Sequence, residues 1–169
     1  GAAHHQSSRR GLKTRRVKQM ETTVQSSAER STGLAGMLGS AGPAFHAILR
    51  IGVGLLFMQH GAQKLFGWFG GVDGAGASVG LVSLMGLAGV LEFFGGFIVV
   101  LGLFTQPVAL ILALEMLAAY FMAHQPQGVF PVQNFGEPAL LFMLIFAFLA
   151  TNGAGRWSLD SRRAAPGAP

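Results

Sequence analysis

From residue 65 to residue 155 the chain contains neither lysine nor arginine. A soluble domain carries roughly a quarter of its residues as charges, and each of its surface helices needs a polar stripe toward water. A cation-free, mostly apolar run of this length cannot supply such stripes. It suits a solvent of lipid, where charge is expensive. The whole chain agrees: 51% of its 169 residues are apolar and 11% charged. The low charge also argues against disorder through most of the sequence. The absence of cysteine excludes a disulfide framework, a thiolate nucleophile and any cysteine-held iron–sulfur or zinc centre.

The cations that exist are gathered at the ends. Residues 1–43 carry a net +5, residues 44–152 a net −2 and residues 153–169 a net +2. A basic tail can bind nucleic acid, but this one has no aromatic interleaving and no nucleic-acid fold beside it, so no nucleic-acid partner is expected. Cytoplasmic flanks of membrane proteins are enriched in Lys and Arg. Both ends are basic, so both termini are expected in the cytoplasm and the number of spans is expected to be even.

A membrane-crossing helix takes about 20 predominantly apolar residues. Four segments come close: Ala44 to Phe66, Val79 to Phe104, Gln106 to His124 and Gly136 to Asn152. The joints are legible. GWFGGVDGAGAS (67–78) is Gly-rich and acidic, and QPQGVFPVQNFG (125–136) holds two prolines. Pro107 and Pro138 stand in first turns, where a missing N–H costs nothing. Trp68, Phe69 and Trp157 are placed for aromatic belts at opposite interfaces. The predicted fold is all-α: a four-transmembrane-helix bundle, multi-pass in the lipid bilayer, with cytoplasmic termini. A soluble all-α bundle is set aside because the second and fourth segments have almost no polar face.

Three regions follow. Residues 1–43 are expected to be a basic, disordered cytoplasmic tail, 44–160 the membrane domain and 161–169 a disordered end. Met20 opens METTVQSSAER, which reads as a natural start. Residues 1–19 before it lack the apolar core of a secretory signal, and His4 and His5 within them are not read as metal ligands.

Ionisable groups at membrane depth are functional hypotheses by default. On the first helix His46, Arg50, Phe57, His60 and Lys64 fall on one stripe, by steps of three, four and seven. Glu92 interrupts the second helix and Glu115 the third. Ala88, Gly95 and Gly96 share the Glu92 face, which would let another backbone approach. His124 ends the third helix. Asn134 and Glu137 open the fourth, where the helix dipole favours an anion. The expected pairs are Lys64 with Glu137 and Arg50 with Glu115 or Glu92, around one pocket opening outward. Plainer readings stand beside these: Lys64 snorkelling to headgroups, His124 as an interfacial residue, and Glu92 and Glu115 as polar locks between helices.

Several chemistries fail on spacing. A di-iron bundle wants Glu-x-x-His units, but Ala118 follows Glu115 at that step and Gly95 follows Glu92. A haem between His60 and His124 has no supporting motif. No phosphate loop and no Ser–His–Asp nucleophile is present, and no metal site is expected. A pocket of carboxylates, imidazole and amine could bind a quinone head, relay protons or hold a partner subunit.

RIGVGLLFMQHGAQKLFG (50–67), GVLEFFGGFIVVLGLFTQPVAL (89–110), the mid-helix Glu115, NFGEPALL (134–141) and GAGRWSLD (153–160) occur in this order. Together they resemble the DoxX family over about residues 44–160. The resemblance implies a four-helix protein of the inner (plasma) membrane, in a family named for small subunits of quinone-linked sulfur oxidation and often labelled as oxidoreductases. It implies that Arg50, His60, Lys64, Glu92, Glu115, Asn134 and Glu137 are the matching polar residues. The leading functional expectation is a small or accessory subunit of a quinone-linked redox complex, with His60, Glu92 and Glu115 handling protons. Arg50, Lys64, Asn134, Glu137 and His124 would form the substrate or quinone pocket. Quinone is the one cofactor suggested, and other redox subunits or a second copy of the chain are the partners. The alternatives are a non-catalytic scaffold or partner-binding protein, and a small transporter, although inverted repeats are not visible.

Overall fold

The computed structural model describes residues 2–163, with side chains for 18–20 and 33–163. His4, His5 and the closing residues 164–169 lie outside that side-chain description. The elements in order are α1 (Ala2–Phe66), α2 (Leu84–Leu101), α3 (Thr105–Gln127), α4 (Glu137–Asn152) and α5 (Leu159–Arg163). A single 3-10 turn, Trp68–Gly70, follows α1. Among the described residues there is no strand, only one bridge between Gly71 and Ala77. The chain divides into two compact units, Gly1–Gly42 and Pro43–Pro169.

The first unit, expected as a tail from its Ser, Thr and Gly content, is helical over residues 2–42. Its Ala, Gln, Lys, Arg, Met and Glu residues have good intrinsic helix propensity. Near its end Ser40 Oγ donates to the Met37 carbonyl at 2.8 Å, a side-chain bond back along the same helix.

In the second unit the joints decide where helices begin. Helix α2 starts at Leu84, five residues later than the expected Val79, because Ser83 caps it. Ser83 Oγ accepts from the Gly86 N–H at 2.9 Å and donates to the Gly80 carbonyl at 2.6 Å. The Val79 N–H bonds to the Lys64 carbonyl at 2.8 Å, tying the incoming loop to the end of α1. Asp73 organises the loop tip, its Oδ1 accepting from Ala75 N at 2.8 Å and Ala77 N at 3.0 Å. The bonds from Ala77 and then Ala75 hold its carboxyl below the usual carboxylate range. Gly102, at φ 64°, ends α2. Helices α2 and α3 each contain a π-helical turn, at Leu91–Gly95 and Tyr120–His124.

Three helical stretches are long and apolar enough to cross a membrane: Gly33–Phe66, Leu84–Leu101 and Thr105–Gln127. Helix α4 is equally apolar but has 16 residues. The core draws on α1 (Val53, Phe57), α2 (Val99), α3 (Leu112, Met116) and α4 (Phe146), among others. Phe57 anchors it, with ring centroids 5.1 Å from Phe142 and 4.8 Å from Phe146. The opposite faces are apolar too: Leu56, Phe94, Ile111, Leu114, Phe121 and Leu144 are all exposed. A water-facing surface would hold polar residues at these positions, so the outward Leu and Phe side chains are those of a lipid-facing surface.

Helices α1 and α2 run antiparallel and meet through glycine. A Cβ on Gly54 would lie 2.8 Å from the Gly96 carbonyl oxygen and 2.7 Å from Val100 Cγ2. A Cβ on Gly61 would lie 2.7 Å from the Gly89 carbonyl oxygen and closer still to Phe93. The backbones therefore approach to a separation that a methyl group prevents. Gly96 fills the role expected of it, while Gly95 turns toward Leu112 of α3.

Candidate functional site

At the end of the unit where α2 stops, Arg50 is fully buried. Its Nε donates to the Ala154 carbonyl at 2.9 Å, and Nη1 donates to Val99 and Val100 at 2.7 and 2.5 Å. Nη2 donates to Trp157 at 2.7 Å and to Arg156 at 3.4 Å. The last carbonyls of a helix lack intrahelical partners, and the guanidinium fork satisfies those of α2 together with the segment after α4. Arg50 therefore does not pair with Glu92 or Glu115, as the sequence suggested; its donors are spent on backbone.

The other end holds the acidic groups. Lys64 Nζ reaches Glu92 at 2.5 Å from Oε2 and 2.6 Å from Oε1. Glu92 is 4% exposed and sits in the π-helical turn of α2. Such turns recur at functional sites. The partner of Lys64 is thus Glu92 and not the expected Glu137, which is exposed at the start of α4. Gly89 makes room, since a Cβ there would stand 3.0 Å from Lys64 Cβ. Glu115 lies close enough to feel the charges of both Glu92 and Lys64. Both of its carboxylate oxygens are enclosed and have no hydrogen-bond partner among the described residues. In apolar surroundings this is an expensive arrangement.

His124 and Asn134 belong to a separate lock in the loop before α4. His124 Nδ1 lies 3.0 Å from the Asn134 carbonyl, and its ring stacks on Tyr120 at 6.5 Å. Asn134 is buried, donating to the Gly128 carbonyl at 2.7 Å and accepting from the Gly136 N–H at 2.9 Å. These bonds engage one N–H and the oxygen of its amide.

His60 is exposed on α1. Its ring meets Phe142 edge-on at 5.6 Å, and it feels the charge of Lys64 four residues on. It lines a lateral groove of about 310 Å³ with Leu56, Gln59, Gln63, Phe69 and Phe142. Of the five residues grouped from sequence as a quinone pocket, Arg50 lies at the end where α2 stops, bonded to backbone, and His124 and Asn134 belong to the lock in the loop before α4. Among the described residues Gln59, His60 and Gln63 line this groove with no hydrogen-bond partner, and His60 stands four residues before Lys64 of the Lys64–Glu92 pair. Their chemistry fits a carbonyl-bearing ring. Among the described residues no three His, Asp or Glu side chains gather as a metal site.

Sequence reasoning missed Asp160. Its Oδ1 accepts from Phe104 N and its Oδ2 from Thr105 N, both at 2.9 Å, an anion at the start of α3 where the dipole favours it. Burial pushes its carboxyl up, but the N–H groups of Thr105 and Phe104 outweigh that and hold it below the ordinary range. In the sequence Asp160 closes the GAGRWSLD segment (153–160), with nothing there to indicate that it meets the start of α3. Gln59 and Gln63 gave a signal that went unread, two uncharged amides four residues apart in an apolar run.

The DoxX family model matches residues 45–125. A Haemophilus influenzae protein, named only as uncharacterized, is 40% identical over 123 residues, covering 71% of this chain and 91% of its own length. The chain belongs to the DoxX family. An uncharacterized membrane protein of Mycobacterium tuberculosis is 33% identical over 139 residues, 75% of this DoxX chain and 85% of that one. A Bacillus subtilis protein named "putative oxidoreductase CatD" is 31% identical over 114 residues, 67% of this chain and 82% of its own. No solved structure matches the chain. With three helices long and apolar enough to cross a bilayer, this DoxX protein is a multi-pass membrane protein.

Proposed function

We propose that this chain is a small or accessory subunit of a quinone-linked redox complex in the inner (plasma) membrane. Glu115 carries the reading. Its carboxylate oxygens are enclosed and have no partner among the described residues, within reach of the charges of the Lys64–Glu92 pair, on a helix long enough to cross the bilayer. A buried group kept for structure has its hydrogen bonds made. One kept for exchanging a proton leaves a place for the proton to come and go. A bound quinone would supply electron uptake coupled to proton uptake. The chain's part is to hold protons at the Glu115 and Glu92 carboxyls and at the His60 imidazole, with Lys64 balancing charge. The name of the Bacillus subtilis relative supports a redox setting.

In this reading α4 is the fourth span. Its 16 residues make about 24 Å at ~1.5 Å per residue, a shortfall that local thinning of the bilayer accommodates. Four spans put both basic ends in the cytoplasm, in keeping with the positive-inside rule. The partners are other redox subunits or a second copy, and not nucleic acid.

The test is quinone-dependent electron transfer in membranes carrying Glu115→Gln or Glu92→Gln, with yield and melting temperature measured on the same preparations. Proton handling predicts that Glu115→Gln loses turnover with no loss of stability, whereas Glu92→Gln loses turnover and some stability together because it strands the Lys64 ammonium. The scaffold reading has its own support, because Arg50 and the Lys64–Glu92 pair tie helices together. It predicts lower yield and melting temperature with no turnover to lose. Turnover that survives both substitutions removes the proton-handling role.

A further inference from the structure

Gln59, His60 and Gln63 are an unusual set to leave open on a membrane-crossing helix. They line the lateral groove of about 310 Å³ with Leu56, Phe69 and Phe142. Among the described residues none of the three side chains has a hydrogen-bond partner, although His60 touches the Phe142 ring. Lipid tails offer no hydrogen bonds, so a polar side chain facing them looks for a partner. Something else ought to fill this groove.

The groove has a defined chemistry. Gln59 and Gln63 are four residues apart, which places their Cβ atoms about 5–6 Å apart on one helix face. Each amide offers two donors and one acceptor. It can therefore bond to a ring carbonyl, and equally to the hydroxyl which that carbonyl becomes on reduction. Lys or Arg could donate to either form but could not accept from the hydroxyl. The groove walls are aromatic edges. Phe69 reaches its place with a left-handed backbone, φ 56° and ψ 29°, a conformation rare for a bulky residue and maintained only where the surroundings impose it. At about 310 Å³ the space is at the small end for ligand sites, which run from roughly 300 Å³ upward. It has room for a quinone ring whose apolar tail stays in the bilayer.

We infer that this groove is the head-group site for a quinone, with Gln59 and Gln63 bonding to the ring oxygens, Phe69 and Phe142 flanking the ring, and His60 standing between it and Lys64. The inference rests on the quinone reading above and goes beyond it by moving the ring out of the Arg50, His124, Asn134 and Glu137 set. It also gives the polar groups an order along α1 and across to α2: groove, His60, Lys64, Glu92.

Trp68 adjoins the groove, its ring 6.4 Å from that of Phe69, so its fluorescence reports occupancy. Full-length protein in nanodiscs would be titrated with decylubiquinone, and a photoreactive azidoquinone would map the labelled peptides. For the wild type the expected results are saturable quenching and labels within residues 56–69 and at Phe142. For Gln59→Leu/Gln63→Leu we expect affinity at least tenfold weaker, at unchanged melting temperature because Gln59 is exposed, Gln63 is half-buried at the groove and neither side chain bonds to the described residues. If wild type and double variant quench alike, or labels fall elsewhere, the groove is not the site and the quinone reading survives without it. If the wild type binds no quinone, that reading fails and the groove assignment with it. If the double variant keeps its affinity but changes oligomeric state in native mass spectrometry, the face is a helix–helix contact and the inference is overturned.

Discussion

Lys64 and Glu92 are 28 residues apart in sequence, yet the Lys64 ammonium bridges both carboxylate oxygens of Glu92 at 2.5 and 2.6 Å. The carboxylate side is 5% exposed and the lysine side 16%. Breaking a buried pair from one side strands a charge and costs about 3–5 kcal/mol, whereas replacing both members by apolar residues is often near neutral. Lys64→Met should therefore lower the melting temperature well below that of Lys64→Met/Glu92→Leu. Thermal unfolding in one detergent compares the two, and equal destabilisation would show that the pair is not coupled.

Glu115 makes the opposite prediction. An enclosed carboxyl without partners destabilises the fold, so Glu115→Leu should raise the melting temperature while removing quinone-linked turnover. This is the trade-off expected where a strained polar group serves activity. A fall in stability on that substitution would assign Glu115 to the architecture.

The α1–α2 crossing can be probed with single methyl groups. Gly61→Ala drives a Cβ into the Gly89 carbonyl and Phe93, an overpacking worth about 1–3 kcal/mol. Gly52 has nothing within 4 Å of its Cβ position, so Gly52→Ala should be neutral or gain up to about 1 kcal/mol of helix propensity. Parallel melts of the two variants check the contrast.

Asp160 gives a pH dependence with a definite sign. Its folded-state pKa is depressed, so its contribution is complete above the unfolded-state value of about 3.9. That contribution is lost as pH falls through the lower folded value. Stability should decline below about pH 4, and Asp160→Asn should flatten the decline. An identical acid profile in the variant would place the acid-sensitive contact elsewhere.

Much of the architecture was legible in the sequence because lipid imposes one rule on every residue of a span. Apolar runs and prolines in first turns follow from it, and the bounds of α2, α3 and α4 and the end of α1 fall within five residues of those expected, whereas α1 begins at Ala2 and not at Ala44. The start of α2 was misplaced because Val79 is as apolar as the helix, whereas the start is set by Ser83 Oγ. The pairing of charges was less legible. Periodicity puts Arg50 and Lys64 on one stripe but says nothing of what opposes them. Backbone carbonyls, invisible to a reading of side chains, claimed Arg50, and the π-helical turn carried Glu92 to Lys64 ahead of Glu137.

The five carbonyls around Arg50 also set a timetable. Those of Val99 and Val100 are made about 50 residues after the arginine, and those of Ala154, Arg156 and Trp157 lie 104 to 107 residues downstream. A growing chain therefore carries this guanidinium through the synthesis of three further helices before its last acceptors leave the ribosome. Until then the charge must stay in water or headgroups, so the first helix can take its final depth only when the last segment has been made.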